Sequence, residues 1–122
     1  MLSLSPATRV LAACQPVDGR LAFNGLYALV RDRLQADPLS GHLFLFTNRR
    51  RNRLKVLYWD GTGLWLCTKR LERGTLGWPQ GPKVSVALRP EEWAGLVQGV
   101  ELRPRRGWYR SDPEKSGPKA AK

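Results

Sequence analysis

Between Gly41 and Pro79 three apolar runs of strand length are separated by two turn signals, an arrangement that leaves few folds open. The first run, Leu43 to Phe46, meets the polar tip Asn48-Arg49-Arg50-Arg51-Asn52. The second, Leu54 to Trp59, meets Asp60-Gly61-Thr62-Gly63, and the third runs from Leu64 to Leu71. Asp-Gly between two strand-like runs is a strong hairpin signal, because Gly takes positive φ at no steric cost. The stretch therefore reads as a three-stranded antiparallel meander. Alternation sends Leu54, Val56 and Tyr58 to one face and Lys55, Leu57 and Trp59 to the other. With bulk on both faces, the sheet needs cover on both.

In an up-down-up meander the far end of the third strand returns beside the first hairpin tip. Arg49, Arg50, Arg51, Arg53 and Lys55 are thus expected to neighbour Lys69, Arg70 and Arg73, with only Glu72 interrupting. Arginine suits phosphate, since its planar fork donates two parallel hydrogen bonds. Three adjacent like charges at the tip repel unless an anion relieves them, and a solvated loop is the competing reading. Tyr58, Trp59, Trp65 and Trp78 could stack on bases, although aromatics at alternating strand positions are more often core.

The flanks add two helices and two strands. Residues 9–15, RVLAACQ, predict a short strand that Pro16-Val17-Asp18-Gly19 breaks. Phe23, Leu26, Tyr27, Leu29, Val30 and Leu34 recur at three- and four-residue spacings, predicting an amphipathic helix over 21–36 that Asp37-Pro38 ends. Gly25 weakens it, either for close packing against the sheet or as a tolerated residue. After an extended piece to Pro79 and a turn at Gln80-Gly81-Pro82, residues 83–88 alternate as a strand with Val84, Val86 and Leu88 facing the core. Pro90, Glu91 and Glu92 then open a helix, with a Pro in the first turn and acids at the positive end of the dipole. Its apolar edge is Trp93, Leu96 and Val97, and Gly99 closes it.

These elements make a small single α+β domain over residues 1–102, an antiparallel sheet of about five strands packed by two helices. From residue 103 the chain turns to Pro, Gly, Ser and charge, which predicts a basic, disordered tail over 103–122. That tail is either an arm that orders on nucleic acid or a solubilising end.

Twenty-one Lys and Arg against ten Asp and Glu give a net charge of +11 and a pI near 10.7. In so small a domain, clustered basic excess is the footprint of a polyanionic partner; generous general use of Arg is the bland alternative. No apolar run approaches the ~20 residues that span a bilayer, and Met1 to Pro6 lack the charged start and long apolar core of a secretory signal. Cys14 and Cys67 have no short-spaced partners, so free thiols in a cytoplasmic protein are expected.

Catalysis and cofactors are not expected. His42 is the sole histidine, too few for a zinc site with two distant cysteines, and a triad would have to depend on it. Gly61-Thr62-Gly63 lacks the Lys of a phosphate-cradling loop. Of the carboxylates that could serve metal-dependent phosphoryl chemistry, Asp18 and Asp60 precede Gly in turns, Asp37 ends a helix, Asp32 lies on a helix surface, and Glu72 can pair with Arg70 or Arg73.

The runs SGHLFLF, NRRRNRLKVLYWDGTGLWL and KRLERGTLGWP, with VDGRLAFNGLYALV before and RPEEWAGLV after, resemble the second open-reading-frame product, TnpB, of the insertion-sequence-sixty-six family of bacterial transposable elements. The resemblance covers Val10 to about Val100. It implies an accessory role in transposition, beside a separate, larger transposase and another accessory protein as partners. Two readings follow: a non-catalytic factor that binds DNA through the basic face, or an adaptor that holds the transposase without touching nucleic acid.

Overall fold

A computed structural model of the chain describes residues 7–98. The expectations for Gly99, for the domain limit at residue 102 and for the tail over 103–122 lie outside the described residues. The elements follow in the order β1 (Val10–Ala13), α1 (Phe23–Asp32), β2 (Leu43–Thr47), β3 (Arg53–Trp59), β4 (Leu64–Arg70), β5 (Ser85–Leu88) and α2 (Pro90–Val97). One five-stranded sheet carries them in the order β4-β3-β2-β1-β5. The meander is present as read, with Phe44 opposite Leu57 and Val56 opposite Cys67.

The sheet is mixed, a correction to the antiparallel expectation. Three of its pairings are antiparallel, but β1 and β2 run parallel, with Leu11 beside Phe44. The chain leaves the end of β1, crosses through α1 and returns to the starting end of the sheet, and a crossover of that kind joins parallel strands. Inserted between the meander and β5, β1 makes β2 central. All five residues of β2 are buried accordingly.

Strand alternation sorts the core into two layers, one per face. Val10, Ala12, Leu43, Leu45, Leu54, Val56, Val86 and Leu88 pack with Leu76, Trp78 and Leu96, so α2 and the extended piece after β4 cover this face. Ala13, Phe44, Phe46 and Leu57 pack with Leu26 and Val30 of α1 on the other. Trp78 is 4% exposed, and its indole N–H donates to the Ala13 carbonyl at 2.7 Å. Trp78→Phe should retain the fold and cost about 1–2 kcal/mol in urea unfolding, because the buried carbonyl loses its donor.

Both helical and strand limits are tighter than the periodicity suggests. α1 begins at Phe23, because the carbonyl of Leu21 is held by a lysine of β3, and it winds off after Arg33 into Gln35, whose φ is 54°. Gly25 abuts the Leu21 side chain, where an added Cβ would come within 2.6 Å, so its close neighbour is not the sheet. Val84 lies outside β5 and is 48% exposed, while Val86 and Leu88 are buried as expected. At α2 the Glu92 carboxylate accepts from the Arg89 N–H at 2.8 Å, closing the first turn. Trp93 and Leu96 face the core, and the Val97 side chain lies outside the described residues.

Candidate nucleic-acid interface

Cations gather at the end of the sheet formed by the β2–β3 tip and the close of β4. The tip is held by its asparagines. Asn48 Oδ1 accepts from the N–H groups of Asn52 and Arg53, both at 3.1 Å, and Asn48 Nδ2 donates to Asn52 Oδ1 at 2.7 Å. Thr47 donates its hydroxyl to the Arg53 carbonyl at 2.8 Å. Arg51 takes φ 58°, a left-handed conformation unusual for Arg. Its carbonyl accepts from Leu76 N–H at 2.7 Å, and with the Gln80 amide oxygen turned toward the guanidinium, Nη1 donates to it at 2.7 Å. Arg51 thus belongs partly to the scaffold. Arg49 and Arg50 remain at the apex.

Below the apex, Arg53 and Arg70 stand directly opposite each other across β3 and β4. The neighbouring Asn52–Leu71 pair is hydrogen-bonded, so Arg53 and Arg70 form the closer, non-bonded kind of cross-strand pair. Like charges so placed repel. Arg70 has partial relief from Glu72 at 3.4 Å, with both side chains largely exposed. Arg49, Arg50, Arg53 and Arg73 have no carboxylate partner among the described residues. Lys69 leaves β4 on the opposite face from Arg70, beside Leu54.

Lys55 is brought to the same end but into the interior. It is 8% exposed, and its ammonium donates to the carbonyls of Gly19 and Leu21 at 2.6 Å each. Burial pushes its pKa down, Arg53 adds to that, and Asp18 opposes it. With two donors spent inward, Lys55 positions the 16–22 loop and is not placed as a phosphate contact. The signal was available in the sequence as a lone Lys between apolar residues of a strand with both faces covered.

The 16–22 loop forms the second wall of an open cleft. Val17 N–H bonds the Thr47 carbonyl at 2.8 Å, and a cleft of about 400 Å³ opens between Pro16, Val17, Asp18 and Gly19 on one side and Asn48, Arg49 and Arg50 on the other. Asp18 is held by Arg20, whose Nη2 and N–H approach its oxygens at 2.8 and 2.9 Å and lower its pKa to about 2. A depressed folded-state value means this turn contributes in full above the unfolded carboxylate pKa of ~3.9 and loses its contribution as pH falls through about 2. Carbon-detected NMR titration should place the Asp18 inflection near the lower figure.

The other sequence candidates occupy structural posts. His42 Nδ1 accepts from Arg9 N–H at 3.0 Å at the start of β2. Asp60 Oδ1 accepts from the Thr62 and Gly63 N–H groups, and Oδ2 accepts from the Trp65 indole at 2.7 Å, which together hold its pKa far below the usual range. Asp32 pairs with Arg31 at 2.7 Å, and Asp37 accepts from Leu39 N–H. Cys14, buried, and Cys67, half-buried, are both free. Among the described residues no three His, Cys, Asp or Glu side chains converge as metal ligands, and no helix is long and apolar enough to cross a membrane. Trp78 lies in the core, Tyr58 and Trp59 are half-buried, and Trp65 is exposed.

The fold and its cationic end define a small α+β protein with cations gathered at one end of its sheet. The chain belongs to the family of IS66 Orf2-like proteins, TnpB of that element type, whose model matches residues 8–107; these are accessory proteins of transposition. It is similar to the uncharacterized protein y4jC of Sinorhizobium fredii, 43% identical over 101 residues, which cover 83% of this chain and 86% of that one. It is also similar to the uncharacterized protein y4hO of the same organism, 37% identical over 109 residues, covering 88% and 95%. No solved structure matches the chain significantly.

Proposed function

We propose that this accessory protein binds DNA without cleaving it, through the cationic end of the sheet. The observation that carries the reading is the gathering of cations with little acidic relief: Arg49 and Arg50 at the apex, the opposed Arg53 and Arg70 below, of which only Arg70 has a partial partner in Glu72, and Arg73 between Leu71 and Leu76, which bond back to Asn52 and Arg51. Each repulsion in that array would be relieved by a phosphate, and each phosphate neutralised releases counterions. The Asn48–Asn52 clamp holds the apex in advance, which lowers the ordering cost of binding. Contacts of this kind position a duplex without reading its sequence.

The adaptor reading draws less support. The middle of the sheet is covered on both faces, and among the described residues the large exposed apolar side chains, Phe23, Leu39, Trp65 and Val84, lie on four different segments.

Fluorescence anisotropy of a labelled random duplex tests the proposal. Binding at low salt that weakens steeply toward physiological salt is expected; a folded protein that does not bind at low salt sends the search to the transposase as direct partner.

A further inference from the structure

β4 borders the sheet, and among the described residues no other strand pairs with its outer side. The Asp60 N–H to Gly63 carbonyl bond at one end of the hairpin and the Leu71 N–H to Asn52 carbonyl bond at the other set the phase of the ladder. Trp65, Cys67 and Lys69 therefore direct their backbone groups to β3, while Leu64, Leu66, Thr68 and Arg70 direct theirs outward. Native edges are normally blunted by shortness, Pro or central charge. β5, the opposite border, is four residues long; β4 is seven, and its first five, Leu64 to Thr68, contain neither Pro nor charge. Trp65 lies on this border 48% exposed.

We infer that β4 pairs antiparallel with β4 of a second copy, about a two-fold axis at Cys67. The outward-facing residues match themselves in that register: Leu66 bonds Thr68 of the second copy and Leu64 bonds Arg70, giving about eight backbone hydrogen bonds, two per bonded pair. Cys67 then meets its own counterpart, and Trp65 meets Lys69, in the closer, non-bonded pairs. Charge selects the antiparallel arrangement. The acidic end of β4 carries Asp60, ionised and bonded to the Trp65 indole, and the basic end carries Lys69 and Arg70. Antiparallel pairing brings each Lys69 to the indole and carboxylate of the other copy, an arrangement that favours a cation over the ring. Parallel pairing would set Lys69 and Arg70 against their like.

The dimer stands independently of DNA. If the cationic end does bind a duplex, a consequence that rests on the proposed function, the two ends point in opposite directions along the joined sheet and each can engage its own segment.

Light scattering on the full chain without DNA, at tens of micromolar, tests the pairing. The expected mass is twice the 13.8 kDa chain. Thr68→Pro removes an outward N–H from an exposed residue and spares the β3 ladder, so it should give a monomer with an unchanged circular-dichroism spectrum. Trp65→Lys, which sets like charges opposite each other, serves should the Pro variant unfold, and should also give a monomer. Diamide, which takes up the two thiol hydrogens, should cross-link the wild type into a covalent dimer and leave Cys67→Ser uncross-linked. A wild-type monomer overturns the inference, as does a dimer that survives both edge variants and forms no Cys67 cross-link. Because no DNA is present, failure here leaves the cationic end untouched, and failure to bind DNA leaves the dimer untouched.

Discussion

Arg49→Ala with Arg50→Ala should lower affinity for a random duplex on the order of fiftyfold at about 0.1 M salt, and should flatten the plot of log affinity against log salt by about 2. Two phosphate contacts at roughly 0.9 each per decade of salt give both figures. The pair is chosen because these side chains lie at the apex, line the cleft and make none of the bonds that hold the tip together. The Asn48–Asn52 clamp and the Thr47 bond remain, so thermal unfolding should be unchanged or slightly raised by relief of like-charge repulsion. Arg51 is left in place, since its guanidinium also reaches the Gln80 amide oxygen and its removal would confuse stability with contact. Anisotropy titrations at several salt concentrations read both quantities, and an unchanged slope would remove Arg49 and Arg50 from the interface.

Lys55→Met should behave in the opposite way. Met keeps most of the aliphatic volume but leaves the Gly19 and Leu21 carbonyls without their donor, each of them at the root of the 16–22 loop. The cost should be about 2–4 kcal/mol, within the range for stranding buried acceptors of a charged donor. In a domain of this size that lowers the melting temperature by about 10 °C or more. The salt slope of DNA binding should stay that of the wild type, because the ammonium faces inward; a slope flattened by about 1 with stability intact would place Lys55 on a phosphate instead. Denaturant unfolding and the same salt series separate the outcomes.

The two variants also mark where sequence reasoning reached and where it stopped. The meander was legible because each run of strand length ended in a turn whose chemistry could be named, and the gathering of Arg49–Arg51 with Arg53, Arg70 and Arg73 followed from up-down-up geometry alone. Charge is additive and local, so its placement survives errors in register. The parallel β1 was not legible, since VLAA reads alike in either direction and only the crossover through α1 decides it. Lys55 was misplaced for a related reason: alternation correctly put it on the face of Leu57, but the 16–22 loop that caps it comes from more than thirty residues away. Arg51 hid its scaffold role because Arg carries no left-handed turn signal, unlike Gly61 with φ 101°. Val84 continued a clean alternation one residue before β5, where its carbonyl still accepts from Cys14 N–H at 3.0 Å but its side chain is left 48% exposed.

If a duplex docks on the cationic end of the sheet, amide chemical-shift mapping during titration with a short random duplex will locate it there. At low salt, shifts and broadening are expected at Arg49, Arg50, Arg53, Arg70 and Arg73, spreading to Asp18 and Gly19 across the cleft, with α2 and β5 unmoved. Perturbations confined to β5 and α2, or none at saturating duplex, would contradict that docking.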